Sequence, residues 1–290
     1  MSTTVTPRWT IDSEREVDGG LNAALTLFLK GAHCPFRCVF CDLGTTTLDG
    51  PTPPGSLPAQ IRAGIAAADS PCGTVKLYNA SNFFEKRAVP EADDAAIAEA
   101  VKEFGRAVVE CHPRLIGARM ERFGDLLDGG LEVAMGLESV HPVALPKLNK
   151  AMTLDDYDRA AEHILRCGFS HRAFVLIGTP FVEPDESHAW TVKSVRHAAD
   201  RGARLVSLIP LRPLPGSGFH APSLIEAEAA LASAQQACPE TVVQLDPWDL
   251  EHLSACAHCA ARRLKRIERI NLSGFIEPEI ACARCGNDDA

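Results

Sequence analysis

The sequence has no uninterrupted apolar run near the roughly 20 residues that cross a bilayer, which excludes a helical membrane span and sets the expectation of no membrane partner. The opening residues, MSTTVTPRWTIDSERE, are polar and acidic and lack the apolar core of a secretory leader, so a cytoplasmic address is expected. Internal repeats and long low-complexity segments are missing as well. So is an excess of positive charge: the formal net charge is −9, which excludes tight, non-specific binding of nucleic acid by the surface as a whole. What is present is 290 residues, 46% hydrophobic and 23% charged, the composition of an ordinary globular protein with one large domain or two modest ones.

Cysteine, by contrast, is abundant at eleven residues. A disulfide framework suits a short secreted chain, and this chain is long and carries no leader. Seven of the eleven fall in tight sets: Cys34, Cys38 and Cys41; Cys256 and Cys259; Cys282 and Cys285. Clustered thiols in a reducing compartment point to metal. Cys72, Cys111, Cys167 and Cys238 are scattered and read as small buried hydrophobes.

Short β-branched apolar runs alternate with stretches of helical period. Strands are expected at Leu25–Leu29, Val75–Tyr78, Ala107–Glu110, Leu131–Gly136, Ala173–Ile177 and Leu205–Ile209. Helices are expected near 57–68, 93–104, 115–127, 154–167 and 186–201, with Leu154, Tyr157, Ala161, Ile164 and Leu165 forming one apolar stripe. The alternation implies βαβ units in a parallel sheet, and six repeats favour an α/β partial (β/α)6 barrel over a flat doubly wound sheet. The Pro-rich run 51–58 forms a stiff loop into the first helix, with Ser56 as its cap. A closing helix at about 222–237 and an edge segment near Val242–Leu250 follow. The expected division is an N-terminal extension (1–21), the barrel core (22–215), the closing helix and edge segment (216–251), and a small C-terminal Cys-rich metal-binding module (252–290).

Directly after the first expected strand stands Cys34-Pro-Phe-Arg-Cys38-Val-Phe-Cys41. Three thiolates in a short loop can hold three irons of a 4Fe-4S cubane and leave the fourth iron without a protein ligand, open to a substrate or cosubstrate. Zinc on the same three thiols would need a fourth ligand nearby, for which His33 or Asp42 is available.

The spacing CxxxCxxC, with an aromatic residue before the last Cys, resembles the signature of the radical S-adenosylmethionine (SAM) superfamily. The resemblance extends over about residues 22–215. It is carried further by LYNASNFFE (77–85), VECHPRLI (109–116), LEVAMGLESVHP (131–142), the text of 148–164, and RAFVLIGTPF (172–181), which are similar to the group of the archaeosine-synthase radical SAM subunit and the Elongator catalytic subunit. It implies a cluster on which SAM is chelated and reductively cleaved to a 5′-deoxyadenosyl radical, with an electron donor such as flavodoxin or ferredoxin. A nucleobase or tRNA-linked substrate follows from the same group. The chain departs from the Elongator pattern in having no acetyltransferase domain.

Other candidates lie at the ends of the expected strands, where such barrels bind ligands. Asn79 and Ser81 offer an amide and a hydroxyl where superfamily members meet the SAM amino group; a polar turn is the plain alternative. Glu110, followed by His112, offers a carboxylate to SAM ribose or substrate. Glu138 and Ser139 end the fourth strand, with Glu138 placed for ribose hydroxyls, and Gly178 opens a further SAM-binding turn. Arg212 either grips a carboxylate or phosphate bidentately or forms a surface ion pair. Arg172, at the opposite end of its strand, reads as structural. Lys147, Asn149 and Lys150 occupy a loop that covers substrate or is a solvated edge.

Cys256-Ala-His-Cys259 and Cys282-Ala-Arg-Cys285 are separated by 22 residues and form two knuckles suited to a tetrahedral structural zinc; a second, auxiliary 4Fe-4S cluster is the alternative. Between them Arg262, Arg263, Lys265, Arg266 and Arg269 place five cations within eight residues, either a solvated helix face or a polyanion contact. Three functions are therefore in play: a radical SAM enzyme acting on a nucleobase, free or in tRNA; a radical SAM enzyme acting on a small molecule or peptide; and a non-enzymatic iron–sulfur or zinc regulatory protein.

Overall fold

Residues 6–253 and 256–285 are described, from a computed structural model. Eight strands run in sequential order through one sheet: β1 (Arg8–Arg15), β2 (Leu21–Phe28), β3 (Thr74–Tyr78), β4 (Arg106–Glu110), β5 (Gly130–Glu138), β6 (Ser170–Ile177), β7 (Leu205–Pro210) and β8 (Val242–Leu245). Pairing is parallel from β2 through β5 and between β7 and β8, with Leu27 opposite Leu77 and Val109 opposite Val133. Parallel strands are covered on both faces, so they require near-continuous apolar runs, and β3, β5 and β7 are buried almost throughout. All six expected strands are present, extended by a few residues. β8 forms from the expected edge segment, and β1 is an added strand within what reads in sequence as an extension.

The helices are α1 (Ser56–Ala68), α2 (Asp94–Ala100), α3 (Ala118–Gly124), the short α4 (Ala144–Lys147), α5 (Leu154–Arg166), α6 (Pro184–Asp200), α7 (Leu224–Ala237) and α8 (Ala260–Ser273). Two start with reciprocal capping boxes, Thr153 with Asp156 on α5 and Ser223 with Glu226 on α7. Ser56 is not the cap of α1. That place belongs to Gly55, which adopts a left-handed conformation (φ 79°) and donates its N–H to the Asp93 carboxylate, while the Ser56 hydroxyl accepts from Gln60. On α5, Tyr157, Ala160, Ala161 and Ile164 are buried and Leu165 is exposed, so the stripe turns by one residue from its expected course. Cys111 and Cys238 are buried as expected, whereas Cys72 and Cys167 are only half-buried.

The described chain divides into two compact units. One comprises residues up to Glu14, Asn22–Gly136 and Asn149–Arg172; the other comprises Arg15–Leu21, Leu137–Leu148 and Ala173 onward. Inside the first, Arg172 is fully buried and fastens Glu14 through two hydrogen bonds (2.8 and 3.0 Å) and Glu132 through a third (2.5 Å); Lys76 also meets Glu14 at 2.7 Å. Burial by itself would raise the Glu14 carboxyl, but the Arg172 and Lys76 charges outweigh it and hold it well below the usual carboxylate range. Arg172 is thus a structural counter-ion at the N-terminal half of its strand. Among the described residues no helix is long and apolar enough to cross a membrane.

Candidate active site and metal centre

In the first unit the cysteine loop follows β2, where the strand's apolar run ends at Leu29. None of its three thiols is in a disulfide; Cys34 and Cys38 are half-buried and Cys41 is exposed. Two adjacent strand ends hold the loop. Past β3, the Asn82 side-chain amide donates to Cys34 Sγ at 3.2 Å, and past β4 the His112 ring stacks on Phe36 with centroids 3.8 Å apart. Asn149 donates to the Arg37 carbonyl at 2.7 Å, so the chain between Cys34 and Cys38 is pinned from a second side.

His112 does not stand beside Glu110 as a second acid–base group. Its Nδ1 accepts from the Arg114 N–H (3.1 Å), which leaves the proton on Nε2, and that nitrogen donates to the Lys150 carbonyl (2.8 Å). Burial, followed by the Lys150 charge, pushes this histidine down to about 4, so at neutral pH it is an uncharged clamp. The loop around Asn149 is accordingly more than a solvated edge: Asn149, itself exposed, braces the cysteine loop, and the buried Lys150 braces His112 through its carbonyl. Lys147, in the second unit, lies over the Phe181 ring at 5.6 Å.

At the end of β3 the Asn79 side chain is buried. Its Nδ2 and the neighbouring Ser81 Oγ have no hydrogen-bond partner among the described residues. Ala80, between them, has a left-handed backbone (φ 51°). Buried polar atoms are normally satisfied, so an unpaired amide and hydroxyl side by side mark a place shaped for something else. Glu110 closes β4 half-buried, its carbonyl accepting from the Phe83 N–H.

In the second unit Glu138, the last residue of β5, is buried and also left-handed (φ 63°), a conformation that costs a non-glycine residue of order 1 kcal/mol. Ser139 is buried and caps the His141 N–H. Gly178 ends β6 with φ 76°, and a Cβ there would meet the Pro222 ring at 3.2 Å. Arg212 faces Asp249 at 3.5 Å, both partly exposed, which is the surface-pair alternative.

The C-terminal thiols behave differently. The Sγ atoms of Cys256, Cys259, Cys282 and Cys285 all lie within 4.8 Å of one another, with Cys256 and Cys282 at 3.8 Å and Cys259 and Cys285 at 3.5 Å. Four sulfurs about 2.3 Å from one tetrahedral ion sit about 3.8 Å apart, so this set can hold a single metal ion. The Cys34, Cys38 and Cys41 trio is not among the described groups gathered to that degree. His33 is engaged by Arg37 and Thr47 rather than completing a four-ligand set.

Two of the five cations of α8 belong neither to a solvated face nor to a polyanion surface. Arg263 and Arg266 are 2% exposed and share the buried Glu228 carboxylate, and their remaining donors bond the carbonyls of Glu277, Pro278 and Ile280. Arg263 also donates to Cys259 Sγ (3.3 Å), and Arg269 pairs with Glu277. Arg262, Lys265 and Arg269 are exposed, Arg269 with its charge taken up by Glu277.

Comparison with solved structures finds the same fold in radical SAM enzymes. The chain superposes on a radical SAM methyltransferase from Sphaerobacter thermophilus with a TM-score of 0.58 (18% identity, 84% of this chain and 77% of that one). It superposes on methylornithine synthase at 0.56 (14% identity, 76% and 64%) and on the archaeal Elp3 of Methanocaldococcus infernus at 0.55 (15% identity, 74% and 59%). The expected partial-barrel fold class is borne out. Among curated proteins, archaeosine synthase subunit beta of Methanosarcina acetivorans is 24% identical over 194 residues, 63% of this chain and 56% of its own length. An uncharacterized protein of Methanopyrus kandleri is 30% identical over 90 residues, 31% of this chain and 17% of its own. The chain thus spans little more than half of one relative and less than a fifth of the other. No protein-family model matches it. The resemblance read from the motifs, to the radical SAM superfamily and its archaeosine-synthase and Elongator group, is borne out by both kinds of comparison.

Proposed function

We propose that the chain is a radical SAM enzyme in which Cys34, Cys38 and Cys41 each ligate one iron of a 4Fe-4S cluster and SAM takes the fourth. The observation that carries this reading is the contrast within one molecule between four thiols gathered for a single ion and three thiols held in one loop without such gathering, beside unpaired buried polar atoms. When bound and reduced, the cluster would supply the electron that cleaves SAM to a 5′-deoxyadenosyl radical. The chain's own residues bind and orient. In the first unit Asn79 and Ser81 would satisfy their unpaired atoms on SAM, and Glu110 would accept from a hydroxyl. For Glu138, Ser139 and Gly178, in the second unit, the reading as SAM-binding residues rests on the sequence motifs, Glu138 being the one that would bond ribose hydroxyls. Arg212 would serve as a SAM contact only by leaving Asp249. The electron would come from a low-potential protein such as flavodoxin or ferredoxin.

For the C-terminal set we propose zinc rather than an auxiliary cluster. Thiolates on separate irons of a cubane stand farther apart than four thiolates on one ion, and these sulfurs have the single-ion spacing. A nucleobase or tRNA-linked substrate is supported by the likeness to archaeosine synthase and Elp3. A small molecule or peptide is favoured instead by the burial of Arg263 and Arg266 and the pairing of Arg269 with Glu277, which leave Arg262 and Lys265 as the cations of that run a tRNA could meet.

The test is anaerobic reconstitution followed by dithionite and SAM. Formation of 5′-deoxyadenosine by the wild type, and its loss together with the brown chromophore in Cys38→Ala, is the expected result. A wild type that takes up iron and sulfide but never forms 5′-deoxyadenosine would refute the enzyme reading. Retention of tRNA at low salt separates the substrate classes.

A further inference from the structure

We infer that Asn82 is a positioning residue that sets the reduction potential of the cluster by donating its amide N–H to the Cys34 sulfur; the inference rests on the cluster proposed above. Asn82 is buried and lies four residues past β3. The orientation of its amide is fixed by a group that can only donate. The main-chain N–H of His112 stands 2.7 Å from Oδ1, so that end must be the carbonyl and the NH2 end must face Cys34 Sγ, 3.2 Å away. The side chain takes no part in its own turn, which closes through the Asn82 carbonyl and the Glu85 N–H instead.

The donor is held rigidly. His112, whose N–H orients Asn82, is locked through both ring nitrogens and stacked on Phe36, a residue of the cysteine loop itself. Donor and sulfur are therefore fixed to one another through two routes, one direct and one through the ring stack. An N–H aimed at a cluster thiolate interacts more strongly as negative charge on the cluster grows. It favours the reduced form and raises the potential, and it costs no rearrangement because the amide is already in place. For a cluster that must take an electron from a soluble donor, this makes reduction easier.

The experiment uses full-length protein reconstituted anaerobically as wild type, Asn82→Asp and Asn82→Leu, with iron and sulfide counted and the midpoint followed by EPR during titration with dithionite and photoreduced deazaflavin. Asn82→Asp keeps the acceptor for His112 and loses the donor to sulfur, whereas Asn82→Leu loses both. The expected result is unchanged cluster content in Asn82→Asp with the reduced-to-oxidised ratio at the wild-type midpoint lowered by about tenfold, equivalent to about 59 mV for a one-electron couple. A shift in Asn82→Leu supports the same conclusion, and if that variant fails to fold the Asp variant decides. Full clusters with wild-type midpoints in the variants would overturn the inference and leave the enzyme reading standing. Failure of both variants to assemble a cluster would also overturn it, in favour of an assembly role. A wild type that binds no cluster overturns both.

Discussion

On the proposed reading the two cysteine sets of this chain solve opposite problems, and their surroundings differ. Around Cys256, Cys259, Cys282 and Cys285 the buried charges are answered: Arg263 and Arg266 close on Glu228 and on the carbonyls leading into the second knuckle, and Arg263 reaches a thiol as well. In the unit that holds Cys34, Cys38 and Cys41 the protein fixes the loop firmly at Phe36 and Arg37 and yet leaves Asn79 Nδ2 and Ser81 Oγ without hydrogen-bond partners among the described residues. A set meant to be closed saturates its own donors and acceptors, because an unsatisfied buried group costs about 1–3 kcal/mol. A set meant to receive a ligand keeps some of that cost until the ligand arrives.

The contrast can be broken in three places, from the strongest effect downward. Chelation of zinc, or Cys282→Ala, is expected to lower stability by more than about 4 kcal/mol and yet leave iron bound at Cys34, Cys38 and Cys41, as read by denaturant unfolding alongside metal analysis; loss of iron with the zinc would erase the distinction. Glu228→Gln leaves two buried guanidinium groups short of their counter-charge. It should cost about 3 kcal/mol and speed zinc transfer to a colorimetric chelator, with no change in the cluster spectrum. Ser81→Ala removes a buried hydroxyl that has no hydrogen-bond partner among the described residues, so stability should stay within about 0.5 kcal/mol of wild type while SAM binding to the reconstituted enzyme weakens by about tenfold. A marked loss of stability in that variant, with SAM affinity intact, would show that the hydroxyl belongs to the fold.

Much of this was legible in the residues. The strands β2 to β5 and β7 lie in parallel pairings and are largely buried, so they had to be written as apolar runs, which makes them readable within a few positions. β1 escaped because RWTIDSER buries only one of its eight residues and carries charge along most of its length, as strands at a sheet margin do. The CxxxCxxC loop and the paired knuckles were visible because metal ligands have local spacing. Asn82 was not, since an asparagine after a strand looks like an ordinary turn former, and its meaning lies in Cys34, 48 residues earlier, and His112, 30 later. The helix at 260–273 misled for the same reason: five cations in a row of eight look solvated until Glu228, some 35 residues upstream, is packed against two of them.

Local order along the chain was enough to specify the βα succession, the cysteine loop and the knuckles, because periodicity and ligand spacing act over a few residues. Which thiols gather on one point, which polar atoms are left unpaired, which arginines are neutralised and which amide faces a sulfur were decided only by folding. Those outcomes depend on groups brought together from distant segments, and a buried charge or amide takes its chemistry from whatever lies within about 3 Å of it.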